Sequence, residues 1–174
     1  MRKRCFPPLA DRRTEVMFMG SFPGEESLRK QEYYGHPQNK FWHLVGDLIG
    51  EGLVELSYKD KTKLLLKKKI GVWDVFYSCY RKGSSDTNIK KEEANDFYSL
   101  KKIAPKLKTI CFNGRTSGKF AKQFQDLGYK TIILQSSSPR NAKKYEVKLR
   151  DWSHRLSFIT STPKRYAPKG ASCT

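Results

Sequence analysis

The sequence is short of acid. Asp and Glu number 17 against 35 Lys and Arg, a formal charge of +18. That excludes an acidic or weakly charged enzyme surface and makes a polyanion the first partner to consider. Long apolar runs are missing as well: nothing approaches the roughly 18 residues that span a bilayer. The basic start Met1-Arg2-Lys3-Arg4 runs into Pro7-Pro8 with no apolar segment between, so a soluble, unexported protein with no membrane partner is expected. Cys5, Cys79, Cys111 and Cys173 show no C-x-x-C spacing, which argues against a metal centre, an iron–sulfur cluster or a disulfide framework. Cys111 lies inside an apolar run and reads as buried. There is no P-loop, no G-x-G-x-x-G, and no Ser/His/Asp order or pair of carboxylates, which argues against nucleotide hydrolysis and dinucleotide redox chemistry.

What is present is foldable. The chain is 37% hydrophobic and 13% aromatic over 174 residues, too apolar for a disordered basic tail and long enough for one α/β domain that buries about 70% of its unfolded surface. Residues 1–14 read as a basic N-terminal arm, 15–159 as the domain, and 160–174 as a basic tail without periodicity. The charge is uneven: residues 1–87 hold 16 basic and 11 acidic side chains, residues 88–174 hold 19 and 6.

Four short apolar runs, 16–21, 70–76, 109–113 and 130–135, alternate with helical periodicity. That is the pattern of a parallel sheet covered on both faces, a three-layer α/β/α sandwich with four short strands. Phe41, Leu44, Val45, Leu48 and Ile49 share one helical face ended by Gly50, and Phe120, Phe124 and Leu127 another ended by Gly128. Residues 92–104 also read as helix. A last helix carries Ala142, Tyr145, Leu149, Trp152 and Leu156 at core spacing, with Lys143, Lys144, Lys148, Arg150 and Arg155 mostly outward. The lysine-rich stretch 59–69 reads as an exposed connecting helix with one buried stripe, or as a DNA contact.

Ligands of open parallel sheets bind beyond the carboxyl ends of the strands, where loops and helix N-termini converge. The segments there are Gly20-Ser21-Phe22-Pro23-Gly24, residues 74–77, Asn113-Gly114-Arg115 and Ser136-Ser137-Ser138-Pro139-Arg140-Asn141. They are small, polar or aromatic, with few ionisable groups.

The first of them, followed by Tyr33-Tyr34-Gly35-His36-Pro37-Gln38-Asn39-Lys40-Phe41-Trp42, resembles the G-x-x-P-G loop and H-P-x-N-x-F-W segment of the uracil-DNA glycosylase superfamily, closest to its hypoxanthine-DNA (deoxyinosine) glycosylase branch. Gly71-Val72-Trp73-Asp74-Val75, Ser78-Cys79 with Gly83-Ser84-Ser85-Asp86, and Ser138-Pro139-Arg140-Asn141-Ala142 agree in order. The resemblance spans about residues 15–155. It implies a monofunctional enzyme, without metal or cofactor, that flips a deaminated base (hypoxanthine, uracil or both) out of DNA and hydrolyses its N-glycosidic bond. An abasic site remains for downstream processing enzymes. A monomer located with the DNA is expected. A mismatch-specific uracil or thymine glycosylase and an inactive nucleic-acid-binding module of the same fold are the alternatives.

The same resemblance implies roles. Several relatives carry Asp or Asn at the third position of the first loop, where this chain has Phe22. Water activation then passes to Asn39, with Ser21 beside it, although Asn39 also suits the cap of the helix at Phe41. Phe22, Tyr34, Asp74 and Asn113 are the base-binding candidates. Tyr34 or its neighbour Tyr33 would stack on the base or pack in the core. Asp74 would accept an N–H of the base, cap a helix or pair with a cation, and Asn113 would read a base edge or form a turn. His36, Ser136, Ser137, Ser138, Pro139, Arg140, Asn141, Lys143 and Lys144 are the DNA-contact candidates. Small hydroxyls and a helix N-terminus would hold phosphates there, and Arg140 would enter the gap left by the base. His36 equally fits a loop-bracing role.

Overall fold

The structure, a computed structural model, describes residues 2–159; the tail expected over 160–174 lies outside the described residues. In chain order the elements are β1 (Lys3–Arg4), β2 (Val16–Gly20), α1 (Glu25–Lys30), α2 (Phe41–Ile49), α3 (Tyr58–Lys67), β3 (Ile70–Asp74), β4 (Phe76–Tyr80), β5 (Lys90–Ala94), α4 (Leu100–Ile103), β6 (Thr109–Asn113), α5 (Arg115–Gly118), α6 (Ala121–Asp126), β7 (Lys130–Leu134) and α7 (Tyr145–Arg155).

The four apolar runs form one parallel sheet in the order β3-β2-β6-β7. Phe18 of β2 pairs in register with Val72 on one side and Cys111 on the other, and Cys111 is buried as expected. Successive side chains of a strand face opposite ways, so each face gathers its own aromatic set. On one face Phe18 meets Phe41 of α2 edge-on at 5.5 Å and stacks on Trp152 of α7 at 5.4 Å. On the other, Phe112 meets Phe124 of α6 at 5.5 Å, and Phe124 in turn lies 4.5 Å from Phe97. Helices therefore cover both faces, giving the three-layer α/β/α sandwich. The lysine-rich stretch folds as α3, with Ser57 accepting from the Asp60 N–H at its start and Leu65 buried.

Three expectations need correction. The run 70–76 breaks at Val75, after which β4 enters a second, antiparallel sheet of order β1-β4-β5. Residues 92–104 are not one helix: Lys90–Ala94 is an exposed edge strand paired with β4, followed by a 3-10 turn (Phe97–Ser99) and the single turn of α4. Good helix formers there yield to the backbone pairing that β4 offers. The last helix begins at Tyr145, leaving Ala142 exposed in the preceding loop, and Lys148 points inward. Its Nζ donates to the Ser138 carbonyl at 3.1 Å, since the face that carries Trp152 turns it beneath the Ser-Pro loop.

The N-terminal arm is tied down. β1 pairs with β4, the Cys5 N–H donates to the Tyr77 carbonyl, and Leu9 exchanges two backbone hydrogen bonds with Val72. Strand β3 would otherwise present an open sheet edge.

Candidate active site

At the carboxyl ends of β2, β3 and β6 the loops enclose an open cleft of about 820 Å³. It brings together Ser21, Phe22, Tyr34, His36, Asn39, Asp74, Asn113 and the segment Ser136–Asn141, which the sequence scatters over 120 positions. Lys143 and Lys144 are exposed and lie outside the cleft lining.

The floor is polar and nearly uncharged. Asp74, 4% exposed, ends β3 opposite Gly20. A Cβ at position 20 would lie 2.4 Å from Asp74 Oδ1 and 3.1 Å from the Tyr34 hydroxyl, so only glycine admits both groups. Among the described residues Asp74 Oδ2 and the Tyr34 hydroxyl are buried with no partner in hydrogen-bond geometry, which is uncommon for buried polar atoms and leaves both with a bond to make. Burial pushes the Asp74 carboxyl up to about 7, Arg81 opposing the rise and Asp86 adding to it. The Tyr34 phenol also rises, chiefly through burial, with Asp74 reinforcing and Asn113 opposing the shift. Tyr34 holds a left-handed backbone at φ 55°, and its ring stacks on Phe41 at 3.9 Å, nearly parallel. Tyr33 packs in the core, its hydroxyl bound to the Pro7 carbonyl at 3.0 Å.

The two asparagines meet at Ser137. Asn39 Oδ1 accepts from the Phe41 N–H at 2.9 Å and from the Ser137 hydroxyl at 2.8 Å. Asn113 Nδ2 donates to Ser137 Oγ at 2.8 Å, and the Ser137 N–H returns a bond to Asn113 Oδ1 at 2.8 Å. Asn39 thus braces the start of α2 and lines the cleft at once. The amide oxygen proposed to orient water is already engaged twice. Ser137 is 0% exposed, so the expected phosphate contact does not stand for its hydroxyl.

The rest of that loop is self-braced. Ser136 Oγ accepts from the Ser138 N–H, Ser138 Oγ from the Arg140 N–H, and Asn141 Nδ2 donates to the Ser136 carbonyl. Gly114, at φ 104°, lets β6 turn against this loop, where an added Cβ would lie 3.0 Å from that of Ser136. The helix N-terminus expected to hold phosphates stands farther on, at Tyr145. Pro139 and Arg140 are exposed at the rim. His36 is exposed, and its Nδ1 accepts from the Gln38 N–H at 3.2 Å, the loop-bracing reading.

Sequence reasoning missed Arg81 and gave Asp86 no role. Asp86 accepts the Ser21 hydroxyl at 2.8 Å and lies 3.6 Å from Arg81 Nη1. Arg81, its side chain 1% exposed, threads beneath the first loop. It donates to the Phe22 and Pro23 carbonyls and sits 5.1 Å above the Phe22 ring. Next to Lys82 in the sequence, Arg81 looks solvated; the Gly83–Asp86 stretch of the resemblance was the only signal for its surroundings.

An α/β/α sandwich with an amide-lined cleft at its strand ends and a basic exterior fits the class of DNA base-excision enzymes that the sequence motifs resemble. Comparison with known proteins sharpens that. Residues 7–158 match the family description "Uracil DNA glycosylase superfamily". A protein named hypoxanthine DNA glycosylase from Methanosarcina barkeri is 45% identical over 153 residues, 88% of this chain and 97% of that one. Another of the same name, from Methanosarcina acetivorans, is 47% identical over 152 residues, 87% and 96% of the two chains. A solution NMR structure of a candidate uracil DNA glycosylase from Methanosarcina acetivorans superposes with a TM-score of 0.83 at 45% identity, covering 91% of this chain and 99% of that one. The chain belongs to the uracil DNA glycosylase superfamily.

Proposed function

We propose that the protein is a monofunctional DNA glycosylase that extrudes hypoxanthine from DNA and hydrolyses its N-glycosidic bond, leaving an abasic site for downstream repair enzymes. The observation that carries the reading is the unpartnered Asp74 Oδ2 beside Tyr34 on the cleft floor. When ionised, that oxygen accepts the N1–H of hypoxanthine, or the N3–H of uracil. Tyr34, backed by Phe41, offers its other ring face to the base, a contact worth about 1–3 kcal/mol against the few kcal/mol that unstacking costs. Asn113 adds amide contacts to the base edge, and Asn39 acts at the glycosidic bond. Arg140 and Pro139 on the rim fill the gap in the duplex, while Lys143 and Lys144 hold phosphates. The two relatives named for hypoxanthine support the choice of base.

A single-turnover panel tests this. Duplexes carrying hypoxanthine, uracil, xanthine or a T·G mismatch are incubated with excess enzyme and treated with alkali to cleave abasic sites. Hypoxanthine is expected to be released fastest. Release of no free base from any duplex would leave a binding module of the same fold.

A further inference from the structure

Two backbone N–H groups decide the orientation of everything between them. The Ser137 N–H can only donate, so the atom 2.8 Å away is the oxygen of Asn113 and not its nitrogen. Asn113 Nδ2 is then the donor to Ser137 Oγ at 2.8 Å. At the other end the Phe41 N–H can only donate, which fixes the oxygen of Asn39 toward it at 2.9 Å. The Ser137 hydroxyl, receiving a hydrogen from Asn113, has one hydrogen to give, and its acceptor is Asn39 Oδ1 at 2.8 Å. The polarity of the chain is single-valued: Ser137 N–H to Asn113, Asn113 to Ser137 Oγ, Ser137 Oγ to Asn39. The Lys40 N–H, bonded to the Ser137 carbonyl at 3.0 Å, holds the two loops together.

The free valences follow. Asn39 Oδ1 is engaged twice, while Asn39 Nδ2 donates to no described residue and belongs to a side chain that lines the cleft. We infer that Ser137 is a positioning residue that locks the Asn39 amide with its NH₂ toward the substrate, so that Asn39 works as a hydrogen-bond donor in base excision and not as an acceptor that orients water. This rests on the glycosylase reading above and says which half of the amide acts. A donor suits a departing base that gathers negative charge, whereas an acceptor there would oppose it. The chain also links the candidate base-reading amide, Asn113, to the one at the reacting bond.

Asn39→Asp is the discriminating variant. One carboxylate oxygen replaces Oδ1 and keeps both bonds, but the other presents an acceptor where the NH₂ stood. Asn39→Ala is expected to slow single-turnover excision of hypoxanthine at least tenfold with little change in duplex affinity, and Asn39→Asp to fall within about threefold of Asn39→Ala. A rate for Asn39→Asp nearer wild type overturns the donor assignment. Ser137→Ala is expected to cost tenfold or more in the wild-type background and less than twofold on top of Asn39→Ala, with Ser137→Thr restoring most of the rate. An equal loss in both backgrounds makes Ser137 a merely structural residue. The side-chain amide ¹⁵N–¹H signals read the chain without any substrate. Ser137→Ala should move those of both Asn39 and Asn113, and an unmoved Asn39 signal means that the chain does not exist. If the wild-type enzyme releases no base, the functional reading fails while the NMR result still decides the chain.

Discussion

The rim and the floor of the cleft are built from opposite materials. Outside, Arg140, Lys143 and Lys144 stand exposed on a chain whose residues 97–174 hold 17 basic and 3 acidic side chains. Inside, two asparagines, a serine and a tyrosine lie with Asp74, a carboxyl that burial drives toward its neutral form, while Glu25, Glu26 and Asp86 also line the cleft. A charged rim acts over a Debye length and reads only backbone; a neutral floor acts only on contact and reads donors and acceptors. On the proposed reading affinity and selection belong to separate parts of the molecule, and each should be open to disturbance without the other.

Salt is the largest lever. If the rim contacts about 6–10 phosphates, DNA affinity falls about 10³–10⁵-fold between 50 and 200 mM salt. The rate of excision from saturated complexes is expected to stay flat over the same range. A chemical step that tracks salt would mean that rim cations reach the reacting bond, erasing the division.

Proton concentration addresses the floor. Asp74 must be ionised to accept an N–H, and its carboxyl is raised from 3.8 to about 7. Single-turnover excision is therefore expected to fall about tenfold per pH unit below 7, as the fraction of ionised carboxyl falls, with duplex affinity unaffected and the dependence lost in Asp74→Asn. Folding stability moves the other way. Between 3.8 and about 7 the unfolded chain has released a proton that the folded one retains, so stability falls as pH rises through that window and levels off above it. Asp74→Asn should flatten that slope in urea titrations.

The smallest effect probes the exception, a cation that lies inside. Arg81 serves the first loop from below through the Phe22 and Pro23 carbonyls, so Arg81→Ala is expected to cost about 1–3 kcal/mol in stability, the penalty of stranding a buried acceptor. Arg81→Lys should restore little of it, because an ammonium does not reproduce the guanidinium fork. The salt slope of DNA binding should not change; a shallower slope would place Arg81 among the phosphate contacts.

The parallel sheet was legible because each of its strands is an apolar run with Gly or small polar residues at its end. Strands β1 and β5 were not, because Lys3–Arg4 and Lys90–Ala94 carry no apolar pattern and exist by backbone pairing with β4. The loops of the cleft could be found from the rule of strand ends and from the motif resemblance. The bonds inside it could not: nothing local marks Ser137 as the hub among three consecutive serines, or Lys148 as buried among exposed lysines. Those facts depend on which residues meet in space, Ser137 with Asn39 from 98 positions away and Lys148 with the Ser138 carbonyl from 10.

Asp74 closes β3 and Phe76 opens β4, with Val75 alone between the two sheets. The floor carboxyl is therefore a point surveyed from two independent baselines, the Gly20 pairing on one side and the β4 ladder on the other. The N-terminal segment lies across this joint as a splint, fastened to Tyr77 beyond it through Cys5 and to Val72 before it through Leu9. Asn95, in contact with the Cys5 thiol, completes the bandage by donating to the Asp74 carbonyl. Trimming the first nine residues would unbind the joint that holds the proposed base-reading carboxyl in place.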